Sequence, residues 1–147
     1  MPAREDVFQA LFALGQGLSW AASPGGFAFA SRRVRLWDAL GAAQPALCQA
    51  EHDETIEQVR GLPPKLTLNA SWLIYQNAGA DPNAVPASLN NLILDAVQAA
   101  FPNPDGDQVQ TLGGLVDRCW INGRIFKDPG DLDGQGLIIV PIQILIP

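Results

Sequence analysis

The sequence predicts an α+β domain: a mixed, mainly antiparallel sheet with two helices packed on it, in the order α-β-β-β-α-β-β. Two segments, residues 4–18 and 86–101, place apolar residues at helical spacing. Residues 65–76, "KLTLNASWLIYQ", alternate apolar and polar side chains with period two, the mark of a half-buried strand. The C-terminal run "LIIVPIQILIP" is β-branched and apolar on both faces, as in a strand covered from both sides.

In "REDVFQALFALGQGL", Val7, Leu11, Leu14 and Leu18 form one apolar stripe, and Glu5 and Asp6 sit in the first turn, where negative charge suits the helix dipole. The following loop, residues 19–30, is rich in Ser, Gly, Pro and Ala but carries Trp20, Phe27 and Phe29, which are costly to leave in water on a lone monomer. Strands are expected at about 31–37, 45–52 and 65–76. The third turns one face to the core and the other to solvent. Between the last two, "DETIEQVRGLPPK" reads as a projecting loop that can extend the strands as a hairpin arm. Residues 86–101 carry Leu89, Leu92, Ile93, Ala96, Val97, Ala100 and Phe101 on one helical face, with Pro86 in the first turn and "FPNP" ending the helix. Two more strands are expected at about 115–127 and 137–146.

One domain spanning residues 1–147 is long enough to bury a substantial core. Hydrophobic residues make up 48% of the chain and charged residues 16%, a low charge density that points to self-association. The net charge of −6 lacks the basic footprint of a phosphate-backbone binder. No apolar run reaches the roughly 20 residues of a membrane span, and "MPAREDVF" lacks the character of a signal peptide, so a soluble, non-secreted protein is expected. Cys48 and Cys119 suit buried reduced thiols better than a disulfide framework.

Asp131, Asp133, Gln135 and Gly136 match the first half of an EF-hand loop, but Ile142 stands where a bidentate acid belongs and strands flank the segment. "DPGDLDGQG" is therefore expected to be a hairpin turn, with a weak cation on Asp128, Asp131 and Asp133 as the alternative. The single histidine, His52, has acidic neighbours but no evident partner for general-base chemistry and reads as a solvated strand end. "TLGGL" lacks the lysine of a phosphate loop. No catalytic, cofactor-binding or metal site is expected.

The candidate sites are therefore interaction surfaces. Arg32, Arg33 and Arg35, with Trp37, either form a solvated edge that discourages strand pairing or meet a neighbour's acidic groups. On the strand "LVDRCWINGRIFK", Arg118, Trp120 and Arg124 share a face, and an indole between two arginines suits stacking against a partner better than solvent. Trp20, Phe27, Phe29 and Arg60 complete the set on the two long loops.

The succession "SRRVRLWD", "QPAL", "RGLPPKLTL", "DPNAVPASLNNLILDAVQAAF", "QTLGGLVDRCWINGRI" and a C-terminal apolar strand resembles the small tail-terminator (minor tail, or tail-completion) proteins of long-tailed bacteriophages over nearly the whole chain. The resemblance implies a non-enzymatic protomer that closes into a six-fold ring on the tail tube, stops its polymerisation and offers a docking surface to the head-side connector protein. It further implies a virion location at the head-proximal end of the tail after assembly in the host cytoplasm, with the tail tube protein as a partner and DNA passing through the bore without specific binding. No membrane or cofactor is implied. A head-to-tail connector or neck protein shares the same size and ring habit. A small-molecule-binding α/β domain would instead need convergent polar groups in a pocket.

If the hairpin reading of residues 128–136 is right, millimolar calcium leaves the thermal midpoint unchanged in a melting experiment; a large upward shift would restore the metal reading.

Overall fold

The computed structural model describes residues 2–21, 23–36, 40, 44–79, 83–102, 109–130 and 134–146. Among them are two helices, α1 (Arg4–Gln16) and α2 (Pro86–Ala100). The strands are β1 (Phe29–Ser31), β2 (Ala46–Glu57), β3 (Lys65–Asn77), β4 (Arg118–Ile121), β5 (Phe126–Asp128) and β6 (Gln135–Ile146). They form one mixed sheet in the order β1-β2-β3-β6-β4, with β5 also on β6 and only the β1–β2 pair parallel. The fold is α+β in the predicted order, with the strand expected at 115–127 split into β4 and β5.

That split has a local cause. Asn122 donates its backbone N–H to the carbonyl of Pro141 at 3.1 Å, so the polar edge of Pro141 faces β4 and β5. In a strand the N–H and C=O of one residue point the same way, and the N–H that should answer Asn122 is missing in proline. The ladder stops there, and Gly123, at φ +109°, lets the chain step out before β5 resumes. Pairing of β6 with β3 is untouched, because Pro141 presents no hydrogen-bonding group on that side.

Both helices cover the same face of the sheet. The even positions of β3 and β6, from Leu66 to Ile74 and from Ile138 to Ile146, are buried against Val7, Phe8 and Leu11 of α1 and Ile93 and Val97 of α2. Helix α1 ends at Gln16, two residues short of the apolar stripe. It can approach the sheet closely because Gly15 has no side chain: a Cβ there would lie 2.6 Å from Leu47 Cδ2 and 3.1 Å from the Trp72 ring.

Each helix is also pinned by an amide side chain rising from the sheet. Gln49 is 1% exposed; its Nε2 donates to the Phe8 carbonyl of α1 at 3.0 Å, and its Oε1 accepts from Trp72 Nε1 at 3.0 Å. Gln76 Nε2 donates to Asn90 Oδ1 of α2 at 2.8 Å, and Asn90 Nδ2 donates to the Asp128 carbonyl of β5 at 3.2 Å. Room for that second amide depends on Gly136, where a Cβ would meet Gln76 Nε2 at 2.4 Å.

Among the described residues, the opposite face is covered at one end, where Leu40, Ala46, Cys48 and Tyr75 cluster with Phe29, Leu73 and Leu137. The expectation of a wet second face on β3 is thus corrected for Ser71 and Tyr75, which are buried, whereas Thr67, Asn69 and Leu73 are half-buried. On β6, Leu137, Ile139, Pro141, Gln143 and Leu145 are all half-buried.

The strand expected at 31–37 is displaced. β1 comprises Phe29–Ser31, and residues 32–36 are irregular, so Arg32, Arg33 and Arg35 do not alternate across a ladder. Ser31 ends the strand by accepting the Arg33 N–H on its hydroxyl at 3.0 Å, a local turn that competes with β pairing. The first five residues of the loop expected at 53–64 are strand: β2 runs to Glu57, and residues 58–64 form the turn. At the quoted hairpin, β5 and β6 are antiparallel, Gly130 and Gly134 have φ of +74° and +77°, and Asp128 Oδ1 accepts the Gly130 N–H at 3.1 Å. Asp131 and Asp133 lie outside the described residues.

Replacing Gln49 by Leu orphans the Trp72 indole N–H in the core and removes the second donor of the Phe8 carbonyl, which keeps its bond within α1. A loss of about 2 kcal/mol is expected, since one buried unpaired group costs roughly 1–3 kcal/mol. Urea denaturation reads it directly, and Trp72→Phe should cost less in the Gln49→Leu background than in the wild type.

Candidate functional site

The arginine cluster is resolved into three separate roles. Arg32 bridges α1 and β2: its Nη1 bonds Glu5 Oε1, and its Nη2 lies 2.5 Å from Glu51 Oε1. That contact raises the Arg32 pKa and holds the Glu5 carboxyl below its ordinary value, with the Arg32 hydrogen bond as the main cause. A parallel bridge joins Arg4 Nε to Glu54 Oε1 at 2.8 Å. The acids facing Arg32 are therefore its own chain's. Arg35 is exposed with its guanidinium 5.3 Å from the Phe29 ring centroid, Arg33 is exposed, and Trp37 lies outside the described residues.

The aromatic loop residues turn inward instead of outward. Trp20 and Phe27 are half-buried against the main core and meet edge to face with centroids 5.1 Å apart, while Phe29 belongs to the cluster on the other side of the sheet. Ser23 closes the loop, bonding the Gly26 carbonyl through its hydroxyl at 2.7 Å. Spacing could not reveal this, because the loop folds back through turn chemistry and has no periodicity.

At the β4 edge, register places Arg118 opposite Leu145 and Trp120 opposite Gln143, on the face away from the helices. The Arg118 guanidinium stacks over the Trp120 ring, 4.4 Å from its centroid, so part of this indole is already engaged within the chain. Arg118 Nε is buried with no acceptor among the described residues. Arg124 lies in the break between β4 and β5 and is exposed, so it does not share the ladder face with Trp120. Because Trp120 is at the sheet border, it also flanks a groove of about 510 Å³ between α2 and the β4–β5 edge, which Arg118, Lys127, Leu94 and Asp95 help to line.

The turn at 58–64 is an exposed arm. Ile56 is 54% exposed, Val59 51% and Leu62 65%, and Arg60 stands among them.

A polar cluster escaped the sequence reading. Between Glu51 and Glu54 the β2–β3 register shifts, and the resulting bulge sets His52 and Asp53 together against Asn69. His52 Nε2 lies 2.5 Å from the buried Ser71 Oγ, Asn69 Nδ2 donates to Asp53 Oδ1 at 2.9 Å, and Gln143 Nε2 donates to Asn69 Oδ1 at 3.1 Å. His52 is therefore exposed, as read, but sits in a bulge within β2 with a serine partner instead of at a strand end. Gln143, the lone polar side chain within the apolar run 137–146, was the one sequence signal, and the pairing of His52 with Ser71 depends on the bulge. Chemically the set is incomplete for nucleophilic catalysis. Asp53 is held by Asn69 instead of orienting the imidazole, and β3 is paired on both sides, so it offers no main-chain N–H groups to an oxyanion.

Both cysteines are buried and free, and burial pushes the Cys119 thiol up to about 12. Among the described residues no three His, Cys, Asp or Glu side chains are grouped as metal ligands would be, and no helix is long and apolar enough to cross a membrane. Compared with known proteins, the chain matches no family model and no curated sequence.

The Glu5–Arg32 contact carries a pH signature. A depressed carboxylate pKa gives stability that is present above the ordinary glutamate range, roughly pH 4, and is lost as pH falls through the folded-state value. Wild type and Glu5→Gln should differ slightly in denaturation midpoint at neutral pH and converge in acid. A difference independent of pH would assign the effect to something other than this ion pair.

Proposed function

We propose that the chain is the subunit of a tail-terminator-type ring, a structural protein that closes on the end of a bacteriophage tail tube, stops its growth and presents a surface to the head-side connector. The observation that carries this reading is the one-sided sheet. Both helices pack on one face, and the other bears a row of half-buried apolar residues, including Ile139 and Leu145, that the described part of the fold leaves partly open. A small domain with 16% charged residues gains by covering such a strip with further protein.

Closed rings of identical subunits require two different, mutually complementary patches on each copy. The sheet supplies two unlike lateral borders. β1 covers β2 only along Ala46–Cys48, leaving the outer side of Gln49–Glu57 without a strand neighbour among the described residues, and the far border is the interrupted β4–β5 edge. Acidic Glu51, Asp53, Glu54 and Glu57 crowd the first border; Arg118, Arg124 and Lys127 mark the second. Net negative charge is also compatible with DNA sliding through a bore without capture. Partners in this reading are further copies of the chain, the tail tube protein and the connector protein.

Electron microscopy of immunogold-labelled particles tests the assignment. Label is expected at the head-proximal end of purified tails. Label confined to the capsid vertex, with bare tails, would identify a connector or neck protein. In purified protein, Trp120→Ala is expected to weaken assembly by about 2 kcal/mol while circular dichroism stays unchanged, the behaviour of an interface hot spot; loss of folding would place Trp120 in the intramolecular packing alone.

A further inference from the structure

We infer that the groove between α2 and the β4–β5 edge receives the β2–β3 arm of a second copy of the chain. This names the contact between neighbours in the ring proposed above and rests on that reading.

The groove has unmet needs. Its floor is apolar, with Leu94, Phe101 and Ile125, and it opens onto Arg118 and Lys127. Neither cation forms an ion pair among the described residues, and Arg118 Nε is buried without an acceptor while Trp120 holds the guanidinium plane in place. A buried donor without an acceptor is costly, and a planar guanidinium already fixed by stacking is prepared to receive a carboxylate. Asp95 adds one negative charge on the opposite rim.

The arm has the converse chemistry. Val59 and Leu62 are large, apolar and more than half exposed. Glu57 precedes them with no ion pair among the described residues, and Arg60 lies between them. An apolar tip that carries Arg60 and has Glu57 opposite Lys65 at its base fits an apolar floor flanked by two cations and one acid, with Glu57 turning to Arg118 and Lys127 and Arg60 to Asp95.

Placement makes the contact directional. The arm joins β2 to β3 and on its own chain borders a cleft with Asp117, Leu145 and Ile146 at the sheet's end, whereas the groove opens beyond β6 between α2 and the β4–β5 edge. An arm therefore enters a different copy's groove and leaves its own groove open for the next, the head-to-tail arrangement that closes into a ring.

The test uses the full chain carrying Glu57→Lys, Leu62→Asp or Lys127→Glu. All three positions are exposed, so circular dichroism should match the wild type. Sedimentation equilibrium over a concentration series is expected to show self-association weakened by about tenfold or more in each variant, because like charges or a buried carboxylate then oppose docking. An equimolar mixture of Glu57→Lys with Lys127→Glu should regain association, since each supplies the charge the other lacks. A photo-crosslinker at position 62 should attach to α2 or to β4–β5 of another copy. If the wild type assembles and the variants assemble equally well, or the mixture fails to recover, or the crosslink maps elsewhere, the arm-and-groove contact is wrong and the ring reading stands. A wild type that stays monomeric at every concentration removes both.

Discussion

The architecture depends on two buried amides. A sheet that carries both of its helices on one face must fix their depth and register, and apolar packing alone is tolerant of sliding. Gln49 and Gln76 remove that freedom. One ties the Phe8 carbonyl of α1 to the Trp72 indole, and the other ties Asn90 of α2 to β3, with Asn90 continuing to β5. Buried amide donors of this kind specify one arrangement, since a shift leaves their N–H groups unpaired in a low-dielectric interior, where Gln76 Oε1 already has no donor among the described residues. The glycines at 15 and 136 belong to the same device, because one admits the helix and the other admits the amide.

With the helices held on one side, everything available for assembly falls on the other side and at the borders. The salt bridges from Arg4 and Arg32 to β2 reinforce this division by keeping α1 over the acidic strand and neutralising two of its carboxylates internally. Asp53 is held by Asn69, which leaves Glu57 as the acid of β2 without a partner among the described residues. The low overall charge therefore does not mean a featureless surface. It concentrates the few uncommitted ions at two places.

Legibility followed the strength of local pattern. The helices and β3 were readable because their periodicity is long and unbroken, and the turn at 128–136 because Asp and Gly have a stereochemical reason to be there. The strand at 31–37 was misplaced because "RVRLW" has strand composition while the Ser31 hydroxyl and the short parallel pairing to β2 end the ladder early. The break at Asn122 was hidden because its cause, Pro141, is nineteen positions away in the chain and acts only through the cross-strand hydrogen bond. The surface candidates fared unevenly. Trp20, Phe27 and Arg32 were assigned outward and make contacts within the chain, and Trp120, read as an outward stacking face, lies at the sheet border with Arg118 stacked on its ring. His52 and Ser71 could not be paired from sequence, because a bulge is needed to bring the histidine round.

The interruption at Pro141 also governs how large assemblies can go wrong. An uninterrupted strand beside β6 would present a long template on which any extended chain could zip, and the chain would then be exposed to fibrous by-products. With the border cut into lengths of four and three residues, main-chain pairing alone cannot sustain a docked strand. Selectivity at that border passes to side chains, so a newcomer must bring matching shape and charge, and stray polypeptide is turned away.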